Sequence, residues 1–327
     1  MVFRGQTLGK YRVIEPLGSG GFGTVYLAED TWIDKRVAIK VPHRQNLDFG
    51  ELLREPRLLA ALNHPNIVTV ITAEKQDNVF FIVMEYVPGE TLENVILTRG
   101  ALDLPLGLDY ICQIANALDH AHRQGVIHRD LRPANVFVTE KGVLKVGDFG
   151  TSRFLEIAAH GTTVIGSPPY MAPEQFEGRA VFASDIYSLG VSMYQMLTGD
   201  LPYDMPPPHE LDKLRHGQLI DPPRQRNPAI PASIEAIVLK ALAGEVADRY
   251  QQADDVLRDL LLARRGLKAR PGVAAAGMRR PVPVATAPRP VAAETRARDL
   301  AVGRFCWQCR KPLPSRSARC PFCGETQ

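Results

Sequence analysis

The sequence lacks the segments that would place a protein in or across a membrane. No stretch reaches the roughly 18 consecutive apolar residues that a membrane-spanning helix requires. The N-terminal region also lacks the basic-then-apolar order of a secretory signal peptide. We therefore expect a cytoplasmic protein with no transmembrane segment.

Cysteine is scarce over most of the chain, which argues against a disulfide framework. Of five cysteines, Cys112 stands alone in a helical pattern, where it is expected to pack as a small hydrophobe. The other four form two Cys-x-x-Cys pairs with ten residues between them: Cys306, Cys309, Cys320 and Cys323. This spacing predicts a zinc ribbon built around a structural Zn²⁺, with a redox dithiol pair or disulfides as the alternatives.

Acidic residues are nearly absent from the C-terminal part of the chain. From Ala263 to the end there are 14 Lys/Arg and 3 Asp/Glu, a net charge of +11, so the chain's overall +3 leaves −8 for residues 1–262. Residues 268–293 contain no acidic residue and no hydrophobic periodicity, and they are rich in Ala and Pro, which is typical of a linker. A protein partner and a nucleic-acid partner both remain open for the basic tail and the zinc ribbon.

A β-hairpin is predicted near the middle of the chain. Two apolar runs, at 136–138 and 143–146, are joined by a short polar turn. Because a hairpin returns to its starting point, Asn135 and Asp148 are expected side by side, with Asp130 one tight loop away. Three oxygen-bearing side chains on one rim suit a hard cation such as Mg²⁺, which proteins usually hold through few ligands together with substrate phosphates.

Glycine is concentrated in one loop near the N-terminus. Two predicted strands, at 11–17 and 24–29, flank Gly18, Gly20 and Gly23 in a G-x-G-x-x-G pattern. The pattern alone fits either a dinucleotide-binding turn, which opens a helix, or a glycine-rich hairpin. Since the chain continues as a strand, we predict a hairpin flap whose backbone N–H groups can approach an anion.

The strand-like segment that follows the flap carries a lysine toward the same site. Alternation along residues 37–40 puts Ala38 and Lys40 on one face, so Lys40 is expected to point at the ligand. Ala38 and Val25 would then cover a flat base. A solvated lysine at a sheet edge is the alternative.

A helix is predicted between Phe49 and His64. The apolar spacing places Glu55 inside the apolar stripe, where a carboxylate requires a partner, and Lys40 is the expected one. Pro56 follows immediately. The helix is therefore expected either to be kinked or to begin its regular part near Pro56.

Together these segments resemble the eukaryotic-type (Hanks-type) serine/threonine protein kinases of the bacterial kind. The resemblance covers Tyr11 to about Leu262 and is carried, in the family's order, by the flap, Val37-Ala38-Ile39-Lys40, His128-Arg129-Asp130, Asn135, Asp148-Phe149-Gly150 and Ala172-Pro173-Glu174. It implies an α+β bilobal fold, with a five-stranded antiparallel sheet and one helix above a mainly helical lobe. One departure is Arg132, where the family usually has lysine, so turnover is expected to be modest.

The resemblance implies transfer of the γ-phosphoryl group of ATP to a protein serine or threonine, with Mg²⁺ or Mn²⁺ in the site. Asp130 would orient the acceptor hydroxyl and take its proton, with Arg132 beside it. Asn135 and Asp148 would hold the metal, and Lys40 would hold the phosphates. The residues expected at the nucleotide are Leu17, Gly18, Ser19, Gly20, Gly21, Phe22, Gly23, Thr24, Val25, Ala38, Lys40, Met84, Glu85, Val87 and Phe137. Among these, Met84 is the gatekeeper and Glu85 to Val87 form the hinge at adenine.

The polar stretch after Asp148 resembles an activation segment. Thr162, Thr163 and Ser167 are candidates for phosphorylation, with Thr162 and Thr163 as the first choices, and a solvated loop hydroxyl is the alternative for each. Arg129 would receive the phosphate as a bidentate partner. Protein substrates are the expected partners, and autophosphorylation would involve a transient homodimer.

The predicted domain limits are an N-terminal extension at 1–10, a kinase domain at 11–264 with lobes 11–87 and 88–264, an Ala/Pro/Arg-rich linker at 265–302 and the zinc ribbon at 303–327. The kinase limits follow from the resemblance, the linker from its composition and the ribbon from the cysteine spacing. Within the kinase domain, strands are predicted at 64–68 and 79–87. Helices are predicted at 108–121, 185–197, 210–216, 234–243 and 253–264.

Two contacts within the fold are also expected. Asp185 is expected to hold the backbone of the catalytic loop, and Arg249 to pair with Glu174.

Two other functions compete with an active kinase. The main competing class is an ATP-binding pseudokinase that recruits partners through its zinc ribbon, supported only by Arg132 and Pro56. A nucleic-acid binder with a regulatory kinase domain would instead show salt-sensitive binding by its tail.

Overall fold

The computed structural model describes residues 2–21, 23–43, 45, 49–149, 167–204 and 210–268. The chain divides into two compact units, Met1–Ala263 and Arg264–Gln327. Some of the predictions fall outside the described residues: those for Phe22, Thr162, Thr163, the side chain of Glu55, the linker beyond Lys268 and the four C-terminal cysteines. The start of the linker at 265 is wrong, because the last described helix continues to Lys268. Among the helices that are described, none combines the length and apolarity needed to cross a membrane.

The N-terminal lobe is built on a six-stranded antiparallel sheet with the strand order β1-β2-β3-β4-β6-β5. Its strands are β1 (Thr7–Leu8), β2 (Tyr11–Gly20), β3 (Gly23–Asp30), β4 (Lys35–Pro42), β5 (Val70–Gln76) and β6 (Val79–Glu85). Alternate side chains of β2, β3 and β4 enter one buried cluster around Tyr11, Val13 and Ile39, which holds the sheet's face together.

The sheet has one strand more than the five predicted, because β1 lies within the predicted N-terminal extension. Thr7 pairs with Arg12 and Leu8 with Tyr11. Leu8 is only 2% exposed and belongs to the core of the sheet. A strand of two residues is too short to show a period of two in the sequence.

The prediction of a strand at 64–68 is wrong, because the strand in this part of the chain, β5, begins at Val70. Ile67 makes a single parallel bridge to Val146 in the other lobe. The Asn66 side chain donates to the Leu144 carbonyl at 2.9 Å. The segment is apolar because Ile67 and Val68 face the C-terminal lobe, and it therefore resembles a strand without entering the sheet.

One helix, α1 (Phe49–Ala60), packs against β5. Leu52 is 1% exposed and contacts Phe80 and Ile82 in a small buried cluster. Pro56 lies inside the helix, so the alternative in which the regular part begins near this proline is wrong. The helix contains the proline although Pro56 removes one intrahelical hydrogen-bond donor.

The C-terminal lobe is mainly helical. Its helices are α2 (Leu92–Arg99), α3 (Leu104–Arg123), α4 (Phe182–Thr198), α5 (Leu211–Arg215), α6 (Pro223–Arg226), α7 (Ala232–Ala241) and α8 (Ala253–Lys268). The prediction that α4 is the buried centre of this lobe is confirmed, because nearly every residue from Ala183 to Leu197 is buried. Cys112 is buried in α3 at 4% exposure, as expected of a small hydrophobe.

A second, three-stranded sheet places the predicted site between the lobes. Its strands are β7 (Gly89–Thr91), β8 (Val136–Thr139) and β9 (Leu144–Val146), in that order. Val136 pairs with Val146 and Val138 with Leu144, which confirms the predicted hairpin. Gly142 has a φ of 71°, a conformation that glycine adopts without steric cost, and its N–H donates to the Thr139 carbonyl at 2.8 Å to close the turn.

Candidate active site

Asp130 and Asn135 are in direct contact at one end of the hairpin. Asn135 Nδ2 donates to the Asp130 backbone oxygen at 2.8 Å and to Asp130 Oδ2 at 3.1 Å. The Gly147 N–H donates to the Asn135 carbonyl at 2.8 Å, and Asp148 follows Gly147 directly. The structure thus brings the predicted oxygen-bearing residues to one rim. Because Nδ2 of Asn135 faces Asp130, its Oδ1 is the atom that remains to face a cation.

Asp185 anchors this loop from the buried helix α4, as predicted. Asp185 Oδ2 accepts the His128 N–H at 2.7 Å, and Oδ1 accepts the Arg129 N–H at 2.8 Å. His122 Nε2 lies 2.8 Å from the same Oδ2. Burial opposes ionisation of the Asp185 carboxyl, but its bonds to His122 and His128 hold its pKa below the usual range. A carboxylate with several donors is therefore the stable form here.

His128 connects this loop to the strand that leads to Asp148. Its Nε2 lies 2.9 Å from the Gly147 carbonyl oxygen, and the side chain is fully buried. The Phe149 ring packs on the imidazole with ring centroids 4.4 Å apart. These contacts hold Gly147 and Phe149, the two residues that flank Asp148 in the sequence.

Two residues of the site have left-handed backbone conformations. Arg129 has a φ of 70° and Asp148 a φ of 56°, which non-glycine residues adopt at a cost of about 1–3 kcal/mol. The Arg129 carbonyl accepts a hydrogen bond from Gln175 Nε2 at 2.9 Å, and its N–H donates to Asp185. Such strained residues persist only where surrounding contacts hold them, and they are concentrated at functional sites.

Lys40 extends from β4 to Asp148. Its Nζ lies 2.6 Å from Asp148 Oδ1, and the lysine is 7% exposed. Burial favours the neutral form of the Asp148 carboxyl, but the Lys40 ammonium, and beyond it His128 and Arg132, keep its pKa below the usual range. Asp148 is therefore ionised at neutral pH. The predicted pair of Lys40 with Glu55 lies outside the description, because the Glu55 side chain is not among the described residues.

A small apolar cavity of about 30 Å³ lies beside this ion pair. Leu59 and Leu62 close it from the side of α1, and Met84 from β6. Lys40 and Asp148 form its polar wall. The cavity places Met84 at the boundary between the site and the apolar interior.

The predicted flap is the hairpin of β2 and β3, paired to its tip. Gly20 faces Gly23, Ser19 faces Thr24 and Gly18 faces Val25. Gly23 cannot carry a side chain, because a Cβ there would lie 2.4 Å from the Val41 carbonyl oxygen. His43 Nε2 lies 2.9 Å from the Gly20 carbonyl oxygen, a contact that the sequence does not predict because no local pattern joins these residues.

The predicted nucleotide face of the sheet combines residues of β3, β4 and β6. Val25 is opposite Lys40 on β3 and β4, and Ala38 is opposite Met84 on β4 and β6. Leu17 is 46% exposed at the flap. From the other lobe, Phe137 lies against Gly147, where a Cβ would approach its ring to 2.9 Å.

The hinge comprises residues 85–87 and begins at Glu85, the last residue of β6. The Glu85 N–H donates to the Thr69 carbonyl at 2.9 Å. This donor is therefore engaged within the protein, whereas the Glu85 carbonyl and the backbone of Tyr86 and Val87 stay among the hinge groups predicted for adenine.

Ser167 and Arg132 both approach the Asp130 carboxylate. The Ser167 N–H donates to Asp130 Oδ1 at 3.1 Å, and Arg132 Nε lies 3.9 Å from Asp130 Oδ2. Arg132 Nε is buried without a hydrogen-bond partner among the described residues. Asp130 is thus oriented by Asn135 and by the backbone of the segment that precedes Pro168.

A buried ion pair between Arg249 and Glu174 holds the Ala172-Pro173-Glu174 motif in place, as predicted. Arg249 Nη1 lies 2.8 Å from Glu174 Oε1, and Ser184 Oγ donates to the same oxygen at 2.7 Å. Burial opposes ionisation of Glu174, but Arg249 and Ser184 hold its pKa below the usual range. The pair ties the Ala172-Pro173-Glu174 motif to the loop before α8.

The residues at the site offer few ligands for a metal. Among the described residues, no group of three or more His, Cys, Asp or Glu could hold a metal ion. Asp148, as an ionised carboxylate, and Asn135, through its amide oxygen, are the two residues whose oxygens could serve as ligands. Two hard ligands fit a Mg²⁺ that takes its remaining ligands from phosphates and water.

The comparisons with known proteins point to one family. A model of the protein kinase domain matches residues 11–263. The chain is 38% identical over 263 residues to serine/threonine-protein kinase PrkC of Bacillus subtilis (strain 168), which covers 78% of this chain and 40% of that protein. It is 36% identical over 272 residues to serine/threonine-protein kinase PknB of Mycobacterium tuberculosis (strain ATCC 25618 / H37Rv), covering 79% and 43%. The chain thus spans about two fifths of the length of these relatives.

Proposed function

The chain belongs to the protein kinase domain family, and we propose that it transfers the γ-phosphoryl group of ATP to serine or threonine hydroxyls of proteins. The observation that carries the proposal is the convergence of Asp130, Asn135 and the Lys40–Asp148 ion pair at one cleft. The choice of serine and threonine over tyrosine is supported by the names of the relatives.

The carboxylate of Asp130 is the group assigned to the acceptor hydroxyl. Asn135 Nδ2 and the Ser167 N–H bind its two oxygens at 3.1 Å, which fixes the direction of the carboxylate. A fixed carboxylate can align the hydroxyl oxygen for attack and accept its proton as the new bond forms. Orientation of the reactants is the larger part of catalysis in phosphoryl transfer.

The opposite wall of the cleft would hold the nucleotide. Lys40 is placed to bind phosphate oxygens, Asp148 and Asn135 to hold Mg²⁺, and the β2–β3 flap to cover both. When bound with ATP, Mg²⁺ supplies positive charge that offsets the developing charge on the phosphoryl oxygens. The 2.6 Å contact of Lys40 with Asp148 supports this assignment, because the two groups already face the same space.

Arg132 keeps a positive charge beside the acceptor carboxylate. Its Nε lies 3.9 Å from Asp130 Oδ2, and the Arg132 side chain as a whole is 34% exposed. A guanidinium differs from lysine in reach and geometry, so turnover is proposed to be modest.

The proposal includes regulation by phosphorylation. Phosphorylation of Thr162, Thr163 or Ser167 within a transient homodimer would bring a phosphate to Arg129.

The proposal also includes a metal site in the C-terminal region. The spacing of Cys306, Cys309, Cys320 and Cys323 supports a zinc ribbon at 303–327, tethered by a linker after Lys268 to a kinase domain at 11–264 with lobes 11–87 and 88–264. Protein substrates, and a protein or nucleic-acid partner for the tail, belong to the same proposal.

Replacement of Asp130 by asparagine tests the activity. Asp130→Asn should lower phosphate incorporation from radiolabelled ATP by at least about 100-fold, the usual contribution of a general base. Calorimetry with magnesium and ADP should show that the variant still binds nucleotide. The matched control is Asp77→Asn, an exposed turn position with a φ of 48° that asparagine also tolerates. Equal incorporation by the wild type and Asp130→Asn would support the pseudokinase scaffold instead.

A further inference from the structure

Two ion pairs join the lobes among the described residues, and one of them lies outside the catalytic cluster. Lys145 Nζ of β9 lies 2.6 Å from Glu85 Oε1 at the hinge, and the two side chains are 19% and 25% exposed. The other interlobe pair, Lys40–Asp148, involves the groups assigned to phosphate and metal, so nucleotide binding must rearrange it. The Glu85–Lys145 pair uses neither group. It can therefore persist when a nucleotide occupies the cleft.

Three segments of the chain meet at this ion pair. Glu85 Oε1 also accepts the Thr69 N–H at 2.8 Å, and the Glu85 N–H donates to the Thr69 carbonyl at 2.9 Å. Lys145 Nζ additionally lies 3.4 Å from the Ile67 carbonyl. The hinge, the segment from α1 to β5 and the strand β9 are thus joined at one point.

Backbone hydrogen bonds continue this connection toward Asp148. The Val146 N–H donates to the Asn66 carbonyl at 2.8 Å, and the Val68 N–H donates to the Val146 carbonyl at 2.9 Å. Val146 lies between Lys145 and the metal-binding segment that begins at Gly147. A change in the position of Lys145 relative to Glu85 would therefore alter the distance between the adenine-binding and the phosphate-binding parts of the cleft.

The environment makes this pair stronger than an ordinary surface pair. Both side chains are mostly shielded from water, so their attraction is less screened than that of exposed charges. Removing one partner would leave the other charge partly buried and uncompensated. The intact pair consequently favours one disposition of the lobes, while release of nucleotide requires the lobes to separate.

We propose that Glu85 and Lys145 are positioning residues that hold the hinge closed over bound nucleotide and set the rate at which it leaves. This inference rests on the proposed kinase function, because it assigns the cleft to a nucleotide. Neither side chain is assigned a contact with the reacting atoms.

The experiment measures dissociation of a fluorescent ADP analogue with magnesium by stopped flow, together with KM for ATP and kcat. Lys145→Met and Glu85→Gln should each release the analogue about tenfold faster, equivalent to about 1.4 kcal/mol. The same two variants should have a higher KM for ATP than the wild type, while their kcat falls little or increases. The double variant should be no faster than either single variant, and Lys145→Arg should restore most of the slow release.

Lys10→Met is the matched control, because Lys10 pairs with Asp30 at 2.8 Å within the N-terminal lobe, with 26% and 5% exposure. It should leave the release rate unchanged even if it lowers the melting temperature. Release at the wild-type rate by Lys145→Met and Glu85→Gln, or additive effects in the double variant, would overturn this inference alone. A wild type that binds no analogue would overturn the proposed function and this inference with it.

Discussion

His64 is a buried histidine outside the catalytic cluster, and its environment favours the neutral form. The residue is 4% exposed, its Nδ1 accepts the Asn66 N–H at 3.1 Å, and its ring stacks on His120 with centroids 5.2 Å apart. Burial first, and then the charges of His120 and Lys145, lower the pKa of His64 to about 4. The pKa of His120 is lowered as well, mainly by its own burial. Both rings therefore resist protonation in the folded protein.

This arrangement predicts a loss of stability in mild acid. An unfolded histidine binds a proton near pH 6.5, whereas folded His64 does so only near pH 4, so the unfolded state gains protons first as the pH falls. Neutral His64 therefore contributes its full share to the free energy of unfolding above about pH 6.5. Below that pH the share decreases, by up to about 3 kcal/mol once the pH reaches 4. Urea unfolding at pH 7.5, 6 and 5 measures this slope.

Two variants separate His64 from other acid-sensitive groups. His64→Asn keeps an acceptor for the Asn66 N–H but cannot be protonated, so it should show a shallower slope despite lower stability at pH 7.5. His216→Asn changes an exposed histidine and should retain the wild-type slope. The prediction is wrong if His64→Asn loses stability with pH as steeply as the wild type.

At the level of elements, the contact between α4 and α7 depends on the absence of a side chain at Gly190. A Cβ at this position would lie 3.1 Å from Ala241 Cβ and 3.1 Å from Cγ and Cδ2 of Leu242. Glycine disfavours a helix interior by about 1 kcal/mol relative to alanine, yet here it permits close packing of two helices. The sequence shows only a glycine in an apolar helix, because the identity of the facing helix is not a local property.

A larger side chain at Gly190 should separate the two helices. Gly190→Leu is expected to destabilise the protein by about 1–3 kcal/mol through overpacking, even though leucine favours the helix. Gly266→Leu in α8 is the matched control, because a Cβ at Gly266 would meet nothing within 4 Å. That control should be neutral or slightly stabilising. Thermal unfolding followed by circular dichroism compares the two, and equal melting temperatures would contradict the packing argument.

At the scale of the whole molecule, the chain comprises two units with opposite expected charge. The unit Met1–Ala263 contains the core clusters and the candidate active site, and the described part of α8 crosses to the unit Arg264–Gln327. Since the buried contacts of the kinase fold lie within the first unit, its stability should not depend on a metal at the proposed zinc ribbon. The proposed ribbon, in contrast, is too short to fold without one.

Metal analysis tests this separation directly. The purified chain should contain about one zinc per molecule, as a tetrathiolate site requires, and Cys309→Ser should lose most of it. The main unfolding transition of Cys309→Ser should stay within about 1 °C of the wild type, because the proposed zinc ligands lie in a different unit from the core clusters. Cys112→Ala, in the buried helix α3, should keep its zinc while lowering that transition. Wild-type zinc content in Cys309→Ser would contradict the assignment of the ligands.

Residues close in the chain were the ones that the sequence predicted best. The hairpin of β8 and β9, the flap of β2 and β3 and the buried helix α4 each follow from local alternation or periodicity and from glycine at turns. The contact of Asp130 with Asn135 spans only five positions, so a tight loop is sufficient to form it. The sequence by itself therefore determined these local elements and which side chains meet at the end of the hairpin.

Only the tertiary structure decided contacts between distant elements. Lys40 and Asp148 are 108 positions apart, His122 and Asp185 are 63 apart, and Ser167 and Asp130 are 37 apart. The sequence predicts a strand at 64–68 because its apolar residues face the other lobe, and it does not predict β1 because two residues show no period. A local pattern indicates whether a residue is buried or extended. Which element packs against that residue is determined by the free energy of the whole fold, and no single segment of the sequence is sufficient to predict it.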